Sequence, residues 1–168
     1  MFLTIHSTLG VVIGQYAPNP IWAFFVGLFS HYIFDIIPHG DEVKLGKLSL
    51  AGMAWAAIID QAILLLNFML LAYFKTADIF TPLVIAAVIG AILPDWLMAV
   101  HRLCEEWNNR FARALRRLLD PLQNFHYYLH VNFLPYEIPF SLGLAIQIIF
   151  LAGMWTISRD TPSSTRMS

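Results

Sequence analysis

The sequence predicts an all-α fold: a polytopic integral membrane helical bundle of about five spans plus one interfacial amphipathic helix. Three observations carry this expectation. Of the 168 residues, 58% are hydrophobic and only 12% are charged, whereas a soluble domain carries about a quarter charged residues. Mean hydropathy is +0.65, and apolar stretches approaching the roughly 20 residues of a hydrocarbon span recur along the chain. No strand-period alternation and no internal repeat interrupts them. The composition excludes a water-soluble enzyme, a disordered chain and a nucleic-acid binder. Ten Lys+Arg nearly cancel eleven Asp+Glu, so no net field steers charged partners. The lone cysteine, Cys104, excludes a disulfide framework.

The first apolar stretch, 2–16, is short and stops at Pro18-Asn19-Pro20, and the second, 21–37, stops at Pro38-His39-Gly40. The first 34 residues carry no charge, so the basic n-region of a secretory signal is missing. The pair therefore predicts a retained helical hairpin. The third, fourth and fifth spans are expected at 48–74, 82–100 and 136–157. Residues 1–158 then form a single transmembrane domain, followed by a polar, disordered tail at 159–168. Between the last two spans, residues 104–119 place Trp107, Phe111, Leu115 and Leu118 at helical spacing, with Arg110, Arg113, Arg116 and Arg117 on the other side. Such a basic amphipathic helix lies in the membrane surface. A loop helix packed on the protein itself also fits.

Five alternating spans put the N-terminus and the 38–47 and 101–135 loops on one face, with Lys44, Lys47, Arg102, Arg110, Arg113, Arg116 and Arg117. The other face holds Lys75, Arg159 and Arg166. By the excess of positive charge, the expected location is a bacterial or archaeal cytoplasmic membrane with the N-terminus in the cytoplasm.

On this topology all six histidines fall at the cytoplasmic side: His6, His31, His39, His101, His126 and His130. Asp35, Asp41 and Asp95 fall with them. His31 and Asp35 are four residues apart and share a helical face. Pro38 ends the helix and Gly40 allows a tight turn, which swings His39 and Asp41 towards that pair. His126 and His130 form a second pair at the same spacing. Asp95 follows Pro94 inside an apolar span, where an unpaired carboxylate costs roughly 3 kcal/mol. This nitrogen and oxygen donor set suits a divalent cation, Zn²⁺ first and Mn²⁺ or Fe²⁺ next, as one or two ions. The expected metal ligands are His6, His31, Asp35, His39, Asp95, His126 and His130, with Asp41 and Asp95 as catalytic carboxylates. Other readings stay open: a buried ion-pair clamp for His31 and Asp35, turn and capping roles for His39 and Asp41, aromatic-belt anchoring for His126 and His130. His6 lies on a stripe with Gly10 and Gly14, a face expected to pack closely on another helix. Asp60, with Asn67 seven residues on, is an intramembrane carboxylate that marks either a functional site or a bond to a neighbouring helix.

His6 with Gly10, the Pro-bounded histidine and carboxylate cluster, Leu93-Pro94-Asp95, His101-Arg102 and a later histidine together resemble the YdjM-like family of predicted membrane-bound metal-dependent hydrolases. A more distant likeness is to bacterial zinc-dependent phospholipase C. The resemblance covers about residues 1 to 130. It implies a metal-dependent hydrolase of a phosphoester or lipid-type substrate, with His6, Asp95, His101 and His126 in the metal site. In this chain Asp95 is followed by Trp96-Leu97 rather than by a second acidic residue and histidine. The expected partners are membrane lipids and a lipid or phosphoester substrate at the cytoplasmic leaflet. The alternatives are an ion, proton or metal transporter with Asp60 and Asn67 along its path, or a non-catalytic membrane protein with a His/Asp clamp.

Overall fold

Four helices begin at side chains that accept from the backbone N–H three residues on. Asn19, Ser49, Thr81 and Asn109 take the amides of Trp22, Gly52, Val84 and Ala112, and Pro20 and Pro82 occupy first-turn positions. Such caps satisfy amides that have no partner inside the helix. A computed structural model describes residues 1–40, 48–74, 78–107, 109–133 and 138–159. The described residues form six α-helices: α1 Leu3–Tyr16, α2 Pro20–Asp35, α3 Leu50–Tyr73, α4 Pro82–Glu106, α5 Arg110–Tyr127 and α6 Phe140–Arg159. A π-helical segment, Tyr128–Phe133, continues α5. No strand occurs among the described residues.

Three helices, Ala51–Tyr73, Pro82–Glu106 and Phe140–Ser158, are long and apolar enough to cross a membrane. At 1.5 Å per residue, α1 and α2 reach only about 21 and 24 Å, against a hydrocarbon core of roughly 30 Å. Large apolar side chains such as Trp22, Trp55, Met69, Phe80 and Ile149 cover the outside, while His6, His31, His39, His126, Asp35 and Gln147 are fully buried. Apolar outside and polar inside is the distribution expected where lipid is the solvent.

α4 is the central strut, packed on α1, α2 and α5. The glycine stripe of α1 makes the close approach its spacing implies. A methyl group on Gly10 would stand 2.7 Å from Val88 Cα, and one on Gly14 would overlap Val84. Small residues let backbones approach in this way where burial alone gives no driving force.

Two boundaries differ from the sequence expectation. The fourth span continues through His101 and Cys104 to Glu106, and the amphipathic helix starts at Arg110, where Asn109 caps it, and passes Pro121 to Tyr127. Along α5, Ala112, Leu119 and His126 recur every seven residues and are buried. Phe111, Leu118, Leu122 and Phe125 are exposed. The helix therefore packs on the protein and also leaves an apolar stripe open. Arg159 ends α6, while the rest of the expected tail, Asp41, Lys44, Lys47, Lys75 and Arg166 lie outside the described residues.

Asp60 acts at the start of α1. Phe2 supplies no capping side chain. Instead the Asp60 carboxylate, from α3, accepts from the Leu3 amide at 2.7 Å and from Thr4 Oγ1 at 2.9 Å. Asn67 likewise bolts three helices: its Nδ2 donates to Thr8 Oγ1 at 2.8 Å, and its Oδ1 accepts from Trp155 Nε1 at 2.9 Å. Backbone amides have no water to turn to in a bilayer. Asp60→Ala is therefore expected to lower detergent-state stability by about 1–2 kcal/mol, the usual worth of a lost cap. Asp60→Asn, which keeps one acceptor oxygen, should lose less. Thermal melting of the purified variants reads the difference.

Candidate metal centre

The site lies where α2 ends. His31 and Asp35, one turn apart, point from α2 towards the middle of α4. There Pro94 lies inside the helix, where it has no N–H to donate to the preceding turn. The nearby Ala91 carbonyl lies 2.7 Å from His31 Nδ1. A carbonyl only accepts, so Nδ1 carries the proton and His31 Nε2 presents its lone pair inward when the ring is neutral. α5 brings in the last component, His126, on its buried line.

Asp35 is the hub. Its Oδ1 lies 3.0 Å from His6 Nε2 and 3.0 Å from the Met1 amino nitrogen. Its Oδ2 lies 2.9 Å from His31 Nε2 and 2.9 Å from His126 Nε2. Asp95 Oδ1 stands 3.7 Å from His31 Nε2. One donor atom from each of His31, Asp35, Asp95 and His126 falls within 4.8 Å of all the others. This buried cluster has the donors and spacing to hold a metal ion. Rings hold the imidazoles in place: His6 stacks on His31 with centroids 4.1 Å apart, and His126 meets His31 edge-on at 5.1 Å. Tyr32 abuts His126 at 5.7 Å.

The buried nitrogens without a hydrogen-bond partner among the described residues include His31 Nε2 and His6 Nδ1. The first is informative. A neutral His31 sets a lone pair against the lone pairs of Asp35 Oδ2 at 2.9 Å. Only a proton or a cation between them turns that contact into attraction.

The remaining expected residues are placed as follows. His6 meets Asp35 through Oδ1 and is not one of the four donors that gather within 4.8 Å. His39 is buried next to the group, with Nδ1 2.7 Å from the Ile37 carbonyl and Nε2 2.6 Å from the Met1 nitrogen. Gly40 makes the expected turn, with φ +73°. His101 pairs with Asp120 at 2.8 Å, joining α4 to α5. Asp41 lies outside the described residues, as does the side chain of His130. Reading the sequence missed Asp120 as the partner of His101. It also missed Gln147, whose Oε1 accepts from the Phe2 amide at 2.9 Å. An amide inside an apolar span was the available signal for Gln147.

Comparison with family models, with curated proteins and with solved structures gives no match to this chain.

Proposed function

We propose that this chain is a membrane-embedded, metal-dependent hydrolase of lipid phosphoesters, working at the cytoplasmic leaflet. One observation supports this reading above the rest: two neutral-capable imidazoles and two carboxylates converge at one buried point, with the lone pair of His31 Nε2 facing a carboxylate oxygen. His31, Asp35 and His126 would hold one Zn²⁺ and leave its fourth position to water beside Asp95, with Mn²⁺ or Fe²⁺ as the next fits. A divalent cation there neutralises phosphoryl charge and makes bound water nucleophilic near neutral pH. The chain's own groups do the rest. Ala91 fixes the His31 tautomer, and His6 orients Asp35 through its other oxygen. Asp95, with 23% of its side chain exposed, is the open edge of the group. It is the carboxylate placed to take a proton from an attacking water. Water then adds to phosphorus, the ester oxygen leaves, and that oxygen takes up a proton.

In this arrangement α1 and α2 form the hairpin of the five-span reading, with their turn at 17–19 towards the far side and their outer ends level with Asp60 and Asp95, beneath the face bearing Arg102, Arg110, Arg113, Arg116 and Arg117. α5 lies in that surface, with Phe111, Leu118, Leu122 and Phe125 towards lipid. Its arginines attract anionic headgroups at roughly 1 kcal/mol each.

One observation favours a second reading, a proton-mediated polar clamp: the 2.9 Å spacings about Asp35 Oδ2 are hydrogen-bond lengths. Metal content per chain, by plasma mass spectrometry on detergent-purified protein, separates the two. About one equivalent is expected, together with phosphate release from phosphatidate or a polyprenyl phosphate that chelator abolishes and added metal restores. A well-folded chain that stays metal-free after reconstitution would overturn the hydrolase and leave the clamp.

A further inference from the structure

α3 and α6 meet at one end of the bundle and part at the other. Near the far face the Trp155 indole bonds to Asn67 and its ring lies 6.3 Å from that of Phe74. Towards the metal centre the two helices diverge over 56–63 and 140–151, leaving a groove of about 390 Å³ floored by Phe2, Thr4 and Ile5 at the start of α1. This is the size of a small-molecule pocket, roughly 300–1,000 Å³. Its walls are apolar: Ile59, Ile63, Leu144, Ile148 and Leu151.

Three polar residues interrupt this lining, Thr4, Asp60 and Gln147, and Thr4 Oγ1 donates to Asp60. Asp60 is engaged in capping α1. Gln147 is not fully used. It is 1% exposed, its Oε1 accepts from the Phe2 amide, and its Nε2 has no partner among the described residues. The Phe2 amide can only donate, which fixes Oε1 as the acceptor and leaves Nε2 a spare donor. Such a buried donor costs free energy until an acceptor reaches it.

The groove also leads somewhere. Phe2, Ala56 and Asp60 line both it and a second cavity of about 190 Å³, which extends past Met1 and Leu3 to Asp95. Asp95 is the partly exposed member of the metal group. The lipid-facing apolar groove therefore adjoins a cavity that reaches the open edge of the candidate metal centre.

We infer that this groove between α3 and α6 binds one hydrocarbon chain of a lipid phosphoester substrate and directs its polar end to Asp95. The inference rests on the hydrolase reading and adds to it where the substrate enters and which part of it is recognised. A protein helix is too thick for the space. At a diameter of about 10 Å, no more than one turn fits in 390 Å³. A single flexible chain fits, and its neighbours on this face are membrane lipids, since Ile59, Ile63 and Ile148 are each more than half exposed. The spare Gln147 donor suits an ester or phosphoryl oxygen at the chain's polar end.

The test uses the full chain in nanodiscs with phosphatidate carrying a diazirine near the end of one acyl chain. Labelled residues are mapped by mass spectrometry, and metal is measured on the same preparations. Labelling is expected to concentrate on Ile63, Leu144, Ile148 and Leu151 over the lipid-facing α4 residues Ile85 and Ile89, and to be competed by unlabelled phosphatidate. Ala56→Phe and Leu144→Trp should each weaken groove labelling roughly tenfold by overfilling the space, with Ile85 and Ile89 labelling and metal content unchanged. Uniform labelling of every apolar face, or groove labelling indifferent to both substitutions, would overturn the inference even in metal-loaded protein. Competed groove labelling in a chain that binds no metal would instead leave the groove standing and remove the hydrolase reading.

Discussion

Asp35→Asn is expected to abolish metal binding, taking about one equivalent per chain to below roughly a tenth, because the substitution removes the charge that the site is built around. Each oxygen of Asp35 meets two nitrogens, Oδ1 those of His6 and Met1 and Oδ2 those of His31 and His126. Asparagine keeps the volume but offers one acceptor oxygen and sets an NH₂ against the other pair. Asp35 is also buried between helices, so loss of metal could follow from damage to the bundle. His126→Ala is the independent arm. It removes one donor contributed by α5, leaves the direct α1–α4 and α2–α4 contacts in place, and should lose metal in a chain that still melts cooperatively. His101→Ala is the contrast, since His101 bonds to Asp120 and not to the cluster, and it should keep its metal. Metal retained in both Asp35→Asn and His126→Ala would remove this group as the binding site.

Gly90→Ala should be among the most destabilising single changes in the chain. A methyl group there would overlap the Phe24 carbonyl oxygen, and the nearby atoms are backbone of α2, which cannot rotate away as a side chain does. α2 and α4 must separate, at a cost of roughly 3 kcal/mol for overpacking. That corresponds to a fall on the order of 10 °C in apparent melting temperature for a chain of this size. The next residue, Ala91, holds His31 Nδ1, so metal affinity should fall with it. Gly153→Ala is the matched control: nothing lies within 4 Å of its added methyl, and alanine favours helix by about 1 kcal/mol. It should melt at or above wild type. If the two variants melt alike, the close α2–α4 crossing is wrong.

Local chemistry was legible in the sequence. The helices capped by Asn19, Ser49 and Thr81 start within two residues of the spans expected from apolar runs, whereas the helix capped by Asn109 starts six residues later than expected. The His31 and Asp35 pair followed from helical periodicity alone, and the turn at Gly40 from its missing Cβ. The glycine stripe of α1 implied a close helix contact without naming α4 as its partner. Few charges and long apolar runs pointed to an all-helical chain, and three of the described helices are long and apolar enough to cross a membrane.

Partnership across the chain was decided only by tertiary packing. Nothing in the spacing of His101 from Asp95 says that His101 turns to Asp120, or that Asp60 caps a helix beginning 57 residues earlier. Helix length was partly legible: 2–16 is already short in the sequence, and α1 and α2 reach about 21 and 24 Å. That shortness places the site. Because α1 starts and α2 ends level with Asp60 and Asp95, midway along the longer α3 and α4, the donors from α1, α2, α4 and α5 meet beneath one face. The sequence alone determined which side chains were available; the rotation, length and depth of each helix decided which of them share a point, since a bond between distant residues depends on the packing of whole helices and leaves no local pattern to read.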